Sequence, residues 1–183
     1  MIEHRLAESN ACSILRKGGL LSALGRRQEN ELVSYSSAVS IDRPAAQIFP
    51  YLLETTKVPV WSDAPAKLVT QGDLSNGARL EVSFGMGPLK AVIGLRISAM
   101  VFGKKLAFES YSGPISWTGE YNLVDDGKGA TTVSQKGQLK FKGLWRLVQP
   151  IAGGRIRRSE VWELQRLKRF IEATPAVPGA AAL

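Results

Sequence analysis

Residues 115–141 read ISWTGEYNLVDDGKGATTVSQKGQLKF, two runs of alternating apolar and polar residues joined by a glycine-rich turn. In the second run, Val133, Leu139 and Phe141 share one parity, while serine, glutamine and lysine side chains share the other. Because successive side chains of a strand point to opposite faces, this period predicts strands with one buried face. The acidic and glycine residues of the turn are typical of a hairpin.

Similar runs occur upstream of this hairpin. One is SYSSAVSI, residues 34–41, and four more lie between residues 66 and 111: AKLVTQG, GARLEVSFG, LKAVIGLRISAMVF and KLAFESY. Glycine turns separate them. This regular spacing favours an antiparallel sheet over alternating strands and helices, and the sequence therefore predicts seven antiparallel strands.

Two helical regions accompany the strands. The stretch AAQIFPYLLE, residues 45–54, predicts a pair of short helices bent at Pro50. The stretch SEVWELQRLKRFIEA, residues 159–173, has apolar residues at steps of three and four and predicts a long amphipathic helix. An earlier start of this helix, broken at Pro150 or at residues 153–154, stays open. A twisted sheet with one apolar face has only this helix to cover it, and we expect a cavity between them.

Read in this order, the residues resemble the START-related lipid-transfer and polyketide-cyclase superfamily. The resemblance spans about residues 33–173 and rests on SIDRPAAQIFPYLLE, VPVW, LVTQGDLSNGARLEV, GEYNLVDDGKGATTV and ELQRLKRFIEA. It implies an α+β helix-grip fold: a seven-stranded antiparallel curved sheet wrapped around a long C-terminal helix, with two short helices after strand 1. It also implies a hydrophobic ligand tunnel between sheet and helix, in a superfamily that ranges from lipid, sterol and quinone carriers to aromatic-polyketide cyclases. None of these segments is a catalytic signature, so no catalytic residue is assigned.

The chain divides into three predicted parts. Residues 1–31 mix charged and apolar residues without a period and are expected to be an N-terminal extension. Residues 32–173 form the START-like ligand-binding domain. Residues 174–183 carry Pro175 and Pro178, which stop the preceding helix, and are expected to be a disordered tail.

Candidate ligand contacts are the inward-facing side chains of the predicted strands and of the long helix. They are Trp61, Leu80, Phe84, Ile93, Leu95, Phe108, Trp117, Tyr121, Leu164 and Leu167. Trp61, held between two prolines, is the strongest of them. Core packing explains each one equally well, and the number of large aromatic side chains favours a ligand. The ionisable strand residues fall on the opposite parity and are expected to face water: Arg79, Glu81, Arg96, Glu109 and Glu120.

The sequence has one cysteine, Cys12, and one histidine, His4. An internal disulfide is therefore excluded, a zinc site nearly so, and a catalytic triad would have to use His4. No run of alternating carboxylates typical of a calcium loop occurs. We expect neither a metal nor another cofactor.

The formal net charge is +8, and residues 144–173 carry seven basic and three acidic side chains. A basic surface attracts phosphate-bearing partners, although an ordinary solvated helix face is the simpler interpretation. No apolar run is long enough to span a membrane, and the N-terminus lacks the order of a secretory signal. A cytoplasmic location is expected.

The sequence thus predicts carriage or sensing of a small hydrophobic ligand such as a lipid, a quinone or an aromatic metabolite. One alternative is a cyclase or dehydratase that uses the same pocket, with a Tyr, Glu or Arg moving a proton. A second alternative is peripheral attachment to an anionic membrane surface or to nucleic acid through the basic helix, at Arg155, Arg157, Arg158, Arg166 and Arg169. Membrane binding is expected to be weak, no specific nucleic acid partner is expected, and the oligomeric state is left open.

Overall fold

The protein was analysed as a computed structural model that describes residues 32–54, 66–69, 74–86 and 89–175. The predictions made for Trp61 and for the extension at residues 1–31 lie outside these ranges, as does most of the predicted tail. The fold below is that of the described residues.

Seven strands form one sheet in the order β1-β7-β6-β5-β4-β3-β2. They are β1 (Leu32–Ile41), β2 (Ala66–Leu68), β3 (Arg79–Met86), β4 (Leu89–Val101), β5 (Lys105–Ser112), β6 (Ile115–Asp125) and β7 (Thr131–Phe141). The pairs from β2 to β7 are all antiparallel. The sequence predicts seven strands. Six of the strands found have eight or more residues, whereas β2, predicted within residues 66–72, has only three.

Strand β1 lies beside β7 at the other edge. The Thr131 hydroxyl donates to the carbonyl oxygen of Arg43, just after β1 ends, at 2.8 Å. Nearer the start of β1, the Tyr35 ring lies against Gly137. Residue numbers therefore rise along β1 as they fall along β7, and the two strands are antiparallel.

A single helix, α1 (Ala45–Leu53), follows β1 in the described residues, where the sequence predicts two. Pro50 lies inside it and removes one intrahelical hydrogen bond. The helix continues through Pro50 because Ile48, Phe49 and Leu52 are buried on both sides of it, while Pro50 itself is exposed. Packing thus outweighs the local preference to break.

The terminal helix α2 (Gln149–Ala173) begins directly after a 3₁₀ helix at Gly143–Val148. Its start at Gln149 is the earlier start that the sequence left open, and neither Pro150 nor residues 153–154 interrupt the helix. Pro150 is tolerated because it lies in the first turn, where an N–H has no intrahelical acceptor. Gly153 does not interrupt the helix and is buried, and a Cβ there would stand 3.3 Å from Cγ2 of Val33. The helix ends at Ala173, as predicted.

The predicted parity of the strands is confirmed. In β7, Val133, Leu139 and Phe141 are buried, whereas Lys136 and Lys140 are exposed. The same alternation holds along β3 and β4. The sheet therefore has an apolar inner face, which packs on α1 and α2, and a polar outer face.

The buried apolar residues divide into two clusters at opposite ends of the inner face. Cluster A, beside α1 and the C-terminal half of α2, contains Val39, Ile41, Ala45, Ile48, Phe49, Leu52, Ala78, Ile97, Leu106, Tyr121, Leu123, Val133, Leu164, Leu167 and Ile171. Cluster B, beside the 3₁₀ helix, contains Val33, Tyr35, Val82, Ile93, Leu95, Ile115, Leu139, Phe141 and Ala152. Leu80 and Phe108 are partly buried and pack against both.

Hydrogen bonds attach the C-terminal end of α2 to the end of β1. The Asp42 backbone N–H donates to Oε1 of Glu172 at 3.0 Å, and Lys168 Nζ donates to the Ser40 carbonyl oxygen at 2.6 Å. Lys168 also pairs with Glu172 at 2.8 Å. The Asp42 N–H and Lys168 together hold the pKa of Glu172 below its usual range. These contacts position the helix across the sheet.

Candidate functional site

Two glycines face each other in the middle of the inner face, Gly119 on β6 and Gly137 on β7. A Cβ on Gly119 would stand 2.6 Å from the ring of Phe108. A Cβ on Gly137 would strike the ring and hydroxyl of Tyr35 and stand 2.8 Å from the carbonyl oxygen of Thr118. Glycine is required at both positions because two aromatic rings lie directly on the backbone.

These two rings belong to a group of four aromatic side chains. Phe108 contacts Trp117 edge to face, with ring centroids 4.7 Å apart, and lies 6.2 Å from the Tyr121 ring. The Trp117 indole N–H donates to the Tyr35 hydroxyl at 2.9 Å. The group thus presents flat apolar area together with a hydroxyl whose orientation is held by a neighbour.

A row of polar side chains crosses three neighbouring strands next to this group. Tyr121 on β6 is paired with Gln135 on β7. On β1, the inner-face residue between Tyr35 and Val39 is Ser37. The contacts of Tyr35 with Gly137 and of Arg43 with Thr131 bring Ser37 level with Gln135. Gln135 is only 2% exposed, and within the described part of the chain the buried Ser37 hydroxyl has no hydrogen-bond partner. We call Tyr121, Gln135 and Ser37 the polar row.

The polar row lies where the two apolar clusters meet. The next inner-face residues on one side are Leu123, Val133 and Val39, all in cluster A. On the other side come the glycine pair and Tyr35, followed by Leu139 of cluster B. Buried polar groups cost free energy unless they are hydrogen-bonded, so the Ser37 hydroxyl, which has no partner among the described residues, needs an explanation.

The buried face of α2 adds a carboxylate. Glu163 is 7% exposed and lies on the helix between Ala152 of cluster B and Leu164 of cluster A. Glutamate is seldom buried to this extent in an ordinary core. The interior between sheet and helix thus contains hydroxyl and amide groups as well as apolar side chains, and α2 carries a buried carboxylate.

Eight of the ten predicted ligand contacts are described with their side chains, and all eight are buried or partly buried. Ile93, Leu95, Tyr121, Leu164 and Leu167 are buried, and Leu80, Phe108 and Trp117 are partly buried against the clusters. Trp61 lies outside the described residues, as does the side chain of Phe84. The contact of all ten residues with a ligand stays a prediction.

Four buried or partly buried polar residues were not predicted as site residues: Tyr35, Ser37, Gln135 and Glu163. A signal for three of them was present: Tyr35 and Ser37 share the parity of Val39, and Gln135 shares that of Val133. A polar residue on the apolar parity of a strand marks a buried polar group. Glu163 lies directly before Leu164. Helical spacing alone places it at the edge of the apolar face of the helix and does not show that it is buried.

The ionisable strand residues lie on the outer face, as predicted. Arg79, Glu81 and Arg96 are exposed, and Arg96 forms an ion pair with Glu109. Glu120 accepts from Lys136 at 2.8 Å and from Lys105 at 3.1 Å. Lys136, Asn122 and Lys105 lower the pKa of Glu120 to about 2. These charges belong to the solvent side of the sheet and not to the site.

Within the described ranges, no three His, Cys, Asp or Glu side chains are grouped so as to hold a metal ion. No helix in the same ranges combines the length and apolar character needed to cross a membrane.

No protein-family model and no curated protein matches this sequence. Solved structures with the same fold are numerous. The aromatase/cyclase Zhui from Streptomyces sp. R1128 superimposes with a TM-score of 0.67 at 10% identity, over 81% of this chain and 98% of that one. A START superfamily protein from Mycobacterium smegmatis gives 0.59 at 12% identity, over 76% and 97%. The di-domain aromatase/cyclase StfQ of the steffimycin pathway gives 0.61 at 14% identity, over 93% and 63%.

These likenesses confirm the resemblance seen in the sequence at the level of the fold. The chain has the α+β helix-grip arrangement of START-like proteins and of polyketide aromatase/cyclases, one antiparallel curved sheet around a C-terminal helix.

Proposed function

We propose that the protein binds a small, mainly apolar molecule between the inner face of the sheet and α2, for carriage or sensing. The polar row is the observation that carries this proposal. The ligand class is a lipid, quinone or aromatic metabolite with at least one hydrogen-bonding oxygen, placed to reach Ser37, Gln135 and Tyr121. The cavity that would hold it is part of the proposal.

The chemistry of the row supports this class of ligand. Burial of apolar ligand surface against clusters A and B would supply affinity at about 25 cal/mol per Å². The aromatic group offers Phe108 and Trp117 as flat surfaces for a ring. A ligand oxygen bonded to the Ser37 hydroxyl would satisfy a group that the described residues leave without a partner.

Ser37→Ala tests the proposal because binding and stability should respond differently. Loss of the hydroxyl should weaken ligand binding about 3- to 10-fold. The free energy of unfolding should stay the same or rise, because a buried polar atom without a partner is removed. Ser98→Ala is the matched control, since Ser98 is exposed on the outer face of β4.

Binding is measured by native mass spectrometry of the purified protein and by displacement of an environment-sensitive dye with a panel of quinones, fatty acids and polycyclic aromatics. Release of an unmodified bound molecule on denaturation would support carriage. If no member of the panel displaces the dye, or if Ser37→Ala and Ser98→Ala bind equally well, the proposed site is wrong.

A second function, catalysis of a cyclisation or dehydration, is favoured by one observation. Glu163 is a buried carboxylate on α2, and Tyr35 and Tyr121 are buried on the inner face of the sheet. A carboxylate and a phenol are groups that transfer protons in such reactions. The test is incubation with a linear polyketone analogue. Loss of one water from the analogue, abolished in Glu163→Gln, would support the enzyme, and recovery of unchanged analogue would support the carrier.

A further inference from the structure

Three aliphatic side chains stand in solvent where β7 passes into α2. Leu144, Leu147 and Ile151 are 83%, 78% and 77% exposed, the highest values among the large apolar residues of the described ranges. Their spacing of three and then four follows the change from 3₁₀ to α-helix and places them on one face. We call these three residues the apolar stripe.

The opposite side of the same segment is packed. Trp145 and Val148 are partly buried against cluster B, as is Ile156 further along α2. The segment is therefore already packed on the sheet through its other face. The apolar stripe is a second apolar face, which no described residue covers. A contiguous exposed apolar surface on a folded segment marks an interaction site.

The surroundings of the apolar stripe are strongly basic. Residues 127–159 contain eight basic and no acidic side chains. Arg155 and Arg158 continue the spacing of the stripe along α2, and Lys142 and Arg146 flank it, all four exposed. Arg157 points elsewhere, because its Nε–H donates to the Ser34 carbonyl oxygen at 3.2 Å.

We propose that the apolar stripe and its flanking cations bind the surface of an anionic lipid bilayer. Aliphatic side chains can enter the headgroup region, and each nearby Lys or Arg is attracted to the negative leaflet. This proposal is independent of the ligand site. The proposed surface differs from the basic surface predicted on the C-terminal helix. It lies nearer the 3₁₀ helix and does not include Arg166 and Arg169, which lie in the other half of α2.

Charge complementarity decides between the occupants. A second copy would bring the same cations against themselves across a symmetric interface, and like charges oppose such pairing. Nucleic acid would satisfy the cations but would leave three aliphatic side chains without an apolar partner. An anionic bilayer satisfies both parts.

The experiment is co-sedimentation of the full chain with phosphatidylcholine vesicles that contain either no phosphatidylserine or a large fraction of it. We expect binding to the anionic vesicles only, weakened by salt. The triple substitution Leu144→Ser, Leu147→Ser, Ile151→Ser should lower the bound fraction at least about tenfold. Arg155→Gln with Arg158→Gln should lower it by about tenfold. All these side chains are exposed, so each variant should keep the wild-type melting temperature.

Two controls remove equivalent groups at the other end of the sheet. Val124→Ser removes an exposed aliphatic side chain beside the β6–β7 turn, and Lys104→Gln removes an exposed cation in the β4–β5 turn. Both should bind vesicles like the wild type.

Equal binding to neutral and anionic vesicles, or wild-type binding by the triple variant, would overturn the proposal. So would a dimer in light scattering that the triple substitution dissociates while vesicle binding is absent, because the occupant would then be a second copy. Tight binding of a duplex oligonucleotide by the wild type and the triple variant alike, without vesicle binding, would assign the surface to nucleic acid.

Discussion

The 3₁₀ helix and α2 follow each other directly and form one terminal helical segment, whose two ends differ in what their side chains do. At the C-terminal end, Leu164, Leu167 and Ile171 are buried in cluster A, and Lys168 and Glu172 are hydrogen-bonded to the end of β1. At the N-terminal end, the apolar stripe faces solvent. Both ends pack on the sheet, and the N-terminal end also leaves apolar surface available to a partner. Within one helical segment, the residues that only stabilise the fold and those offered for surface recognition therefore lie at different positions.

The largest expected effect comes from a matched pair of leucines, one from each end. Leu167→Ala removes a fully buried side chain and should lower the free energy of unfolding by about 2–5 kcal/mol. Leu147→Ala should change it by no more than about 0.5 kcal/mol, because Leu147 is exposed. Urea unfolding followed by circular dichroism measures both. Similar losses for the two variants would mean that the two ends of the terminal helical segment do not differ as described.

The next largest loss of stability is expected from a substitution in the middle of the inner face of the sheet. Gly137→Ala should cost about 1–3 kcal/mol of unfolding free energy, since the new Cβ meets the Tyr35 ring and the rigid carbonyl group of Thr118. The displaced Tyr35 ring should also change the near-ultraviolet circular dichroism of Trp117, its hydrogen-bonded neighbour. An unchanged spectrum with full stability would contradict the close approach of ring and backbone.

Glu172→Gln tests the contacts that hold the C-terminal end. At neutral pH the variant should lose about 1 kcal/mol, because the Asp42 N–H and Lys168 lose a charged acceptor. The pKa of Glu172 is lower in the folded state than its ordinary value of 4.5. The stabilisation is therefore complete above pH 4.5 and is lost as the pH falls through the lower folded pKa. Denaturant titrations of both proteins at several pH values should converge in acid, and a difference that persists there would exclude this cause.

The smallest effect is a gain in stability at the N-terminal end. A Cβ on Gly154 would meet no atom within 4 Å, so Gly154→Ala should stabilise the protein by about 0.5–1 kcal/mol through helix propensity. At Gly153 the neighbouring Val33 stands 3.3 Å from the new Cβ, and the gain should be smaller or absent. Thermal unfolding of the two variants compares them. Equal gains would show that Gly153 is as open as Gly154.

Much of the fold was predictable because strand parity is a local property. The alternation of Val133 with its polar neighbours, or of Ile93 and Leu95 with Val92 and Arg96, requires no knowledge of distant residues. The errors came where packing outweighs local preference. Pro50 does not split α1, because buried side chains on both sides hold the helix, and Gly153 does not break α2, because Val33 packs against it.

The candidate site was predicted only in its apolar part. Phe108, Trp117 and Tyr121 follow from parity and aromatic character. The polar row was missed because Ser37, Gln135 and Tyr121 are far apart in the chain, and only the order of β1, β7 and β6 places them side by side. The apolar stripe was missed for a different reason, since helical spacing does not reveal which of two apolar faces a neighbouring cluster covers.

The order of apolar and polar residues in the chain was sufficient for the class of fold, the inner face of each strand and the end of the long helix, because these depend on periods of two and 3.6 residues. Three things required the tertiary structure: the division of the core into two clusters, the polar row between them, and the exposure of Leu144, Leu147 and Ile151. They depend on which distant residues share a surface, and contacts between distant residues leave no period in a sequence.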